Sequence, residues 1–440
     1  MKIAYFTHSL RSCWNHGNAH FVRGVLGALV ARGHDVRALE PAGNWSLTNL
    51  LADAGEAGLD AWRAAYPELG VTEYLLSPSP PDAEHRRAEG VRGSQGASPS
   101  PPVSAANGER GGPGWGNAAP DGNCGPGGGS PTPALPALRR FASGGEGDAT
   151  LDPVALIANA DLVIVHEWND PALVASLGRA RARGGRSTLL FHDTHHRAVS
   201  DPAAIRAFDL SGYDGVLSFG EALSEVYRRW GWGARVWTWH EAADVRRFHP
   251  PAVEGARAGL VWIGNWGDGE RTAELETFLL APARAAGLTL DIYGVRYPAE
   301  AQAMVADYGA RYGGWLANAA APGVFARHLA TVHVPRRFYT TLLPGIPTIR
   351  VFEALACGIP LVSAPWDDAE RLFRPGDYLT AADGAAMTRQ LAALRDDLAL
   401  RAATAAAGLE TILARHTCDH RADELLAIVA SLRTPARNVA

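Results

Sequence analysis

The 440-residue sequence has few cysteines, and no two of them lie close together. Zinc sites, redox pairs and disulfide frameworks need cysteines at short, paired spacings, so the sequence excludes these classes. Long apolar runs are lacking too, because no stretch reaches the roughly 18 residues that a membrane-spanning helix needs and no signal-peptide pattern is found. We therefore expect a cytoplasmic protein without a membrane span. The four cysteines are Cys13, Cys124, Cys357 and Cys418.

An excess of basic charge is also missing. The chain carries 41 lysines and arginines against 46 aspartates and glutamates, a net charge of -5 that does not fit a basic nucleic-acid binder. The sequence contains no G-x-G-x-x-G after its first predicted strand, no G-x-x-x-x-G-K-[ST] and no H-E-x-x-H. Dinucleotide oxidoreductases, P-loop NTPases and zincins each depend on one of these motifs, so all three interpretations lack their anchor.

What the sequence does have is a regular alternation of short apolar runs with longer segments of helical period, which is typical of βα units in parallel sheets. The fold class is therefore α/β. The chain is longer than one hydrophobic core usually serves, so we expect two Rossmann-like domains, residues 1–248 and 249–440. Residues 385–432 are predicted to be helical throughout, with Asp419 as the cap of the last helix. The predicted strands span residues 2–7, 35–39, 162–166, 187–192, 215–219, 234–237, 260–263, 289–293, 331–334 and 361–363.

One segment interrupts this pattern. Residues 93–136 contain 12 glycines and 9 prolines, with almost no aliphatic side chains. Such a composition cannot bury enough apolar surface to form a packed core. Residues 77–150 are therefore predicted to be a disordered insertion in the first domain rather than a boundary between domains.

The strongest functional pattern lies in residues 344–363, which read PGIPTIRVFEALACGIPLVS. This pattern predicts a rigid loop, a helix capped by Thr348, a glycine turn and a buried strand. The backbone amides at the start of that helix, around Thr348 and Ile349, suit a phosphate group. Glu353 lies one to two turns further on, where a carboxylate could accept hydrogen bonds from ribose hydroxyls. The alternative is an ordinary helix start with a solvated glutamate.

This string resembles the donor-binding signature of GT-B glycosyltransferases, and it is most similar to that of the CgeB-like (spore maturation protein) glycosyltransferases. The resemblance spans the chain except the insertion. It implies two Rossmann-like domains whose parallel sheets face each other across a cleft, a nucleoside diphosphate sugar held by the second domain, and a helical tail that crosses back to the first. In retaining GT-B enzymes this region carries two glutamates. Glu353 matches the second, which holds the donor ribose, while the first falls at Gly345, where there is no carboxylate.

Other residues of the second half fit the donor side of this arrangement. Residues 261–265 look like the first strand and glycine loop of a donor domain, so Gly264 and Asn265 would border the phosphates. A base pocket is predicted beyond the strand ends at Tyr293, Gly294 and Trp315, with a core role as the alternative for Tyr293. Three arginines at strand or helix ends are candidate partners of the diphosphate, although an exposed arginine is commonly only a solvated group. They are Arg271, Arg336 and Arg337.

In the first half, polar residues follow buried strands. His192 resembles the cleft histidine of many GT-B enzymes and is the candidate contact to the transferred sugar, while Glu167 is a candidate general base, with a structural glutamate as the alternative. His195 and His196 make a metal site conceivable, but adjacent side chains point in different directions, so none is predicted. In the loop before the first long helix, a glycine lets the backbone approach a ligand and the helix N-terminus favours an anion, and the resemblance to GT-B enzymes implies that acceptor and donor meet there. The loop consists of His16, Gly17 and Asn18.

Together these features predict a glycosyltransferase that moves a sugar from a nucleoside diphosphate sugar to an unidentified acceptor hydroxyl or amine. No cofactor or metal is predicted, because arginines and helix amides can stabilise the leaving group and no D-x-D triplet ends a strand. Two alternatives remain open: a sugar-nucleotide epimerase of the same architecture, and a non-catalytic nucleotide-sugar-binding protein.

Overall fold

The structure of the protein is a computed structural model that describes residues 1–14, 17–75, 153–252, 255–267, 269 and 271–433. The predicted insertion at 77–150 and one predicted cleft residue, His16, lie outside this part of the chain. Among the described residues, no helix is both long enough and apolar enough to cross a membrane.

The first half of the chain forms a sheet of seven parallel strands: β1 (Lys2–Phe6), β2 (Asp35–Pro41), β3 (Val71–Tyr74), β4 (Leu162–His166), β5 (Thr188–Asp193), β6 (Gly215–Ser218) and β7 (Val236–Thr238). Their spatial order is β3-β2-β1-β4-β5-β6-β7. In β4 and β5 every residue is buried, which explains why these strands are continuous apolar runs in the sequence.

Helices cover both faces of this sheet, because alternate residues of β1 belong to two separate buried clusters. Ile3 and Tyr5 lie in one cluster, and Ala4 and Phe6 in the other. The first helix ends just before Gly33, whose φ of 79° requires the left-handed conformation that glycine adopts easily. The helices are Ala19–Ala31, Trp45–Ala65, Pro153–Leu156, Pro171–Ala182, Arg197–Ser200, Pro202–Arg206 and Glu221–Tyr227, followed by a π-helical turn, Arg228–Trp232, and a 3-10 turn, Gly233–Arg235.

The second half forms a parallel sheet of six strands: β8 (Leu260–Ile263), β9 (Leu290–Tyr293), β10 (Arg311–Tyr312), β11 (Ala330–His333), β12 (Leu361–Ser363) and β13 (Leu379–Thr380). Their order is β10-β9-β8-β11-β12-β13, so both sheets are doubly wound around their first strand. The helical elements are Thr272–Leu275, Glu276–Leu280, Ala281–Ala285, Ala299–Asp307, Asn318–Ala320, Ala321–Arg327, Arg337–Thr341, Ile349–Ala356, Gly384–Asp396, Leu398–Arg415 and Cys418–Arg433.

The tail that was predicted to be continuously helical consists of three helices. Asp383 and Asp397 are the N-caps of the first two, each accepting a hydrogen bond from a backbone amide three residues on, and the tail is interrupted at Asp397 and again at residues 416–417. The last helix begins at Cys418, so Asp419 lies inside its first turn and is not the cap that was predicted. The carboxylate of Asp419 instead forms an ion pair of 2.6 Å with Arg32 of the first half.

This last helix packs on the first half of the chain. It lies against helix Ala19–Ala31, and a Cβ placed on Gly24 would come within 2.4 Å of the Cys418 Sγ. A β-bridge between Ala243 and Thr417 extends the contact. Buried apolar residues of both halves form one continuous cluster, so the two sheets share a core.

Candidate functional site

A cavity of about 630 Å³ lies between the two sheets, at the carboxyl ends of their strands. Its lining residues follow strands of both halves, as expected for a ligand site in open α/β sheets. Examples are Trp168 after β4 and Thr194 after β5 in the first half, and Gly264 after β8 and Gly294 after β9 in the second. The cavity therefore has two walls, one from each half of the chain.

The wall from the second half carries four arginines: Arg271, Arg296, Arg336 and Arg350. Arg271 is buried, donates a hydrogen bond of 3.2 Å to the Val334 carbonyl oxygen and has its guanidinium 5.2 Å from the centre of the Trp262 ring. Burial, and secondly this arginine, lower the pKa of His333 to about 3, so His333 adds no positive charge. Arginines are the main carriers of charge on this wall, which suits an anion.

Main-chain atoms at Gly264 and Gly294 form part of the second-half wall, and this part is called its backbone floor. The chain at Gly294 passes so close to β8 that a Cβ there would lie 2.0 Å from the Gly264 carbonyl oxygen. The Oδ1 of Asn265 accepts a hydrogen bond of 3.0 Å from the Val295 amide, which joins the two loops. Gly264, Asn265, Gly294 and Trp315 all line the cavity, so the structure brings together these predicted donor residues. Glycines at this floor leave room for a ligand to approach the backbone.

The helix Ile349–Ala356 starts at the cavity, and Thr348, Ile349 and Arg350 line it there. Thr348 has the extended backbone of a helix N-cap, but its side chain makes no capping hydrogen bond, so the predicted cap is wrong in that detail. The helix N-terminus still presents its partial positive charge to the cavity. At Gly345 a Cβ would lie 2.7 Å from the Glu370 Cγ, and the φ is 85°, so a glutamate cannot occupy this position without rearrangement.

Glu353 is fully buried and lies behind the cavity wall rather than on it. One carboxylate oxygen accepts a hydrogen bond of 2.7 Å from the Asn318 Nδ2, and the other pairs with the Arg350 guanidinium. The His20 Nδ1 of the first half lies 3.4 Å from the same carboxylate. Glu353 therefore holds Arg350 and lies where the halves meet. Glu353 thus has protein partners on both oxygens and does not line the cavity, and the predicted ribose contact stays a prediction.

Two further predicted donor residues do not reach the cavity. Arg337 lies on an exposed part of the surface and pairs with Glu274 at 2.9 Å. The Tyr293 ring covers Gly313, where a Cβ would lie 2.5 Å from the Tyr293 Cε1. Neither side chain lines the cavity, so the structure supports the packing alternative for Tyr293 and a surface ion pair for Arg337. The neighbouring Arg336 does line the cavity.

The wall from the first half is aromatic and carries no lysine or arginine among the described residues that line it. Trp45 and Trp168 are 50% and 38% exposed, which is high for large aromatic side chains. Burial, the largest cause, lowers the pKa of His195 well below its usual value and that of His196 to about 4, with Arg336 adding to both shifts. These histidines are therefore neutral at pH 7. Arg197 does not line the cavity, but its guanidinium lies 3.9 Å from the centre of the Trp168 ring, and its positive charge contributes to both histidine shifts.

The loop at the start of the first long helix contributes to the same wall. Gly17 and Asn18 line the cavity, as predicted. The Asn18 Nδ2 donates a hydrogen bond of 3.0 Å to the Thr194 carbonyl oxygen, which ties this loop to the segment after β5. Among the described residues, no group of three histidine, cysteine or acidic side chains is arranged to hold a metal ion.

The two residues predicted to be catalytic lie beneath this wall and do not line the cavity. His192 is fully buried, its Nδ1 lies 2.6 Å from the Tyr5 hydroxyl, and its ring packs 4.8 Å from that of Trp239. Glu167 is also fully buried and lies 2.9 Å from the His166 Nε2. Burial raises the pKa of Glu167 to about 8. Contact of either side chain with a substrate is thus not supported, and the structural alternative for Glu167 is favoured.

Sequence reasoning missed one acidic residue of the cavity. Glu241 follows β7, lines the cavity and is only 3% exposed. Its Oε1 has no hydrogen-bond partner among the described residues. Burial, and secondly the charge of Glu353, raise the pKa of Glu241 to about 8. The signal in the sequence that could have found it is its place just after the end of a predicted strand, residues 234–237.

Comparisons with known proteins agree with this geometry. A family model described as "Glycosyl transferase-like" matches residues 271–427, which include the four arginines of the second-half wall. The chain is a glycosyltransferase of the GT-B fold. No curated protein sequence matches the enzyme at a significant level.

Three solved structures are similar to the enzyme over its whole length. HepE from Anabaena, in complex with UDP and glucose, has a TM-score of 0.59 at 12% identity, with 98% of this chain and 100% of that chain covered. Sucrose-phosphate synthase from Thermosynechococcus elongatus has a TM-score of 0.58 at 14% identity, covering 98% and 99%. A glycosyltransferase from Rickettsia africae has a TM-score of 0.57 at 9% identity, covering 99% of both chains. These likenesses confirm the predicted fold.

Proposed function

We propose that this enzyme transfers a sugar from a nucleoside diphosphate sugar, held by its second half, to an uncharged acceptor held by its first half. The observation that carries the proposal is the division of charge in the cavity. All four lining arginines come from the second half, whereas the first half supplies exposed tryptophans and neutral histidines. A dianionic diphosphate and a neutral acceptor match these two walls.

On the donor side, the diphosphate pairs with Arg271, Arg336 and Arg350 and with the start of the helix Ile349–Ala356. These groups also stabilise the charge that develops on the diphosphate as it leaves, so arginines supply the role that a metal ion has in other enzymes. The nucleoside extends over Gly294 toward Trp315. HepE, a structural neighbour, was crystallised with UDP and glucose, which makes UDP-glucose the first donor to test.

On the acceptor side, the half-exposed Trp45 offers a ring on which a sugar or an aromatic group can stack, beside Trp168, one ring face of which is covered by Arg197. An epimerase acts on the donor alone and has no need of such a wall, so this feature favours transfer over epimerisation. Cys357 and Cys418 are buried free thiols, which supports a reducing cytoplasmic location.

The first test is thermal unfolding in the presence of UDP-, GDP-, ADP- and dTDP-glucose. A ligand that binds only the folded protein raises the unfolding temperature, so at least one nucleotide sugar should do so. Arg336→Ala should weaken binding of that nucleotide sugar by about tenfold to a hundredfold, the cost of losing a charged hydrogen bond.

Arg337→Ala is the matched control, because it removes the adjacent arginine that pairs with Glu274 outside the cavity. Its nucleotide affinity should stay within about twofold of wild type, since exposed ion pairs contribute little. If the two variants lost nucleotide-sugar affinity equally, the assignment of the second-half wall to the diphosphate would be contradicted. If none of the four nucleotide sugars raised the unfolding temperature, the proposed function would be contradicted.

A further inference from the structure

Glu241 is the single carboxylate among the described residues that line the cavity. It enters from the first half, on the connection after β7, so it belongs to the acceptor wall. Its side chain is 3% exposed, yet the Oε1 has no hydrogen-bond partner in the described part of the chain. A buried carboxyl oxygen without a partner costs free energy, which is a reason to look for a partner in the substrate.

The titratable and charged groups that face Glu241 come from three neighbouring elements, one of which is the helix Arg337–Thr341 with the partly buried Tyr339. Glu353 and Arg350 lie on the helix Ile349–Ala356, and Glu167 follows β4. Burial has the largest effect on Glu241, and the two glutamates add to it while Arg350 opposes it. The result is a pKa of about 8, close to the pH at which a cytoplasmic enzyme works, where a general base is most effective.

We propose that Glu241 is the general base that takes the proton of the acceptor hydroxyl, an inference that rests on the proposed function. The acceptor oxygen forms a bond to the anomeric carbon as the bond from that carbon to the diphosphate oxygen breaks. The electron pair of the broken bond stays on the diphosphate, beside the arginines. The acceptor proton moves to the Glu241 carboxylate and later returns to solvent.

The other candidate bases of the first half are weaker or do not reach the cavity. His192 and Glu167 lie beneath the wall. His8, His195 and His196 do line the cavity, but burial lowers the pKa of each, that of His196 to about 4, so they are weaker bases than a carboxylate whose pKa is about 8. Basicity and position therefore both select Glu241.

The test compares Glu241→Gln with wild type, using the nucleotide sugar that stabilises wild type best and water as the acceptor. Release of the nucleoside diphosphate should fall by about a hundredfold or more in the variant, as expected for loss of a general base. Binding of the nucleotide sugar, measured by calorimetry, should be unchanged. In wild type the rate should rise with pH up to about 8, because only the ionised carboxylate accepts a proton, and the variant should lose this rise.

Azide provides a second measurement, because this anion attacks the anomeric carbon without giving up a proton. Azide should restore diphosphate release in Glu241→Ala and yield a glycosyl azide, detectable by mass spectrometry, and should change wild type little. A structural role for Glu241 would not produce such rescue. The control variant is Glu370→Gln, whose carboxylate lies outside the cavity and contacts His240 at 2.6 Å.

The results separate the two proposals. If wild type binds and turns over a nucleotide sugar but Glu241→Gln keeps more than a tenth of that rate, or azide fails to restore Glu241→Ala while binding persists, the base assignment is overturned and the proposed function stands. If wild type binds no nucleotide sugar, the proposed function itself fails. Loss of folding is monitored by circular dichroism, and Glu241→Gln should unfold no more easily than wild type at pH 8, because it removes a buried ionisable group.

Discussion

The two walls of the cavity differ in the charge and the type of side chain that they present. The second-half wall uses four arginines, a backbone floor at Gly264 and Gly294, and the start of a helix. The first-half wall uses exposed tryptophan rings, neutral histidines and one buried carboxyl group. The difference teaches that each sheet supplies its own set of side chains, and it is the basis of the proposal that a highly charged ligand binds beside an uncharged one.

Glu353 lies where the two walls meet, and its replacement should have the largest effect. Glu353→Ala leaves Arg350 and Asn318 without their buried partner and should cost about 3 kcal/mol in the free energy of unfolding, measured with urea. Glu274→Ala, which breaks the exposed pair with Arg337, should cost less than about 1 kcal/mol. If Glu353→Ala kept its stability but lost nucleotide binding selectively, the ribose contact would be supported and the structural role of Glu353 contradicted.

An intermediate effect is expected on the acceptor wall. Trp45→Ala should raise the KM for a glycoside acceptor by about tenfold, since loss of an aromatic contact costs on the order of 1 kcal/mol. Nucleotide-sugar binding should not change, because Trp45 belongs to the first-half wall. Trp232→Ala, a tryptophan of the same half that does not line this cavity, serves as the control. A larger effect of Trp45→Ala on the donor than on the acceptor would show that the walls are assigned the wrong way round.

The smallest effect concerns the buried acids beneath the first-half wall. Burial raises the pKa of Asp193 to about 7 and that of Glu167 to about 8, so the folded protein retains protons that the unfolded chain loses near pH 4. Their contribution to stability is therefore complete at low pH and is lost as the pH rises toward 8. Buried histidines such as His166, whose pKa is lowered, act in the opposite direction, but only below about pH 6.5.

The free energy of unfolding should thus fall by about 1 kcal/mol per pH unit for each carboxyl group that is still protonated in the folded protein, which extends to about pH 7 for Asp193 and to about pH 8 for Glu167. Asp193→Asn should flatten this slope, because the asparagine side chain can still accept the hydrogen bond from the His195 amide without titrating. Urea unfolding at several pH values measures it. If the free energy of unfolding had the same pH dependence in the variant and in wild type, Asp193 would not be protonated in the folded protein as proposed.

The second-half wall could be predicted from the sequence far better than the first. Its main-chain features leave local signals, namely the glycines after strands and the proline-bounded loop before a helix, and Gly264, Asn265, Gly294 and Thr348 all line the cavity. The predicted fold and the glycosyltransferase function were confirmed by the comparisons. The missed strands were β3, β10 and β13, which have four residues at most and include exposed positions.

Side-chain direction at the ends of strands was the part that sequence could not supply. His192 still belongs to β5 and turns toward Phe21 and Trp239 in the core, whereas His195 and His196, just beyond that strand, reach the cavity. A shift of three or four positions in the chain decides which histidine lines the cavity. Burial of Glu353 and exposure of Arg337 depend likewise on distant partners, which no local pattern records.

The final helix, Cys418–Arg433, is made by the ribosome only after both sheets have emerged, yet it covers helix Ala19–Ala31 near the start of the chain. During synthesis, the apolar surface that Gly24 and its neighbours present to Cys418 is therefore exposed to solvent for most of translation. The amino-terminal half is therefore a poor candidate for expression by itself. A nascent chain stalled before residue 418 should be a substrate for chaperones rather than a finished domain.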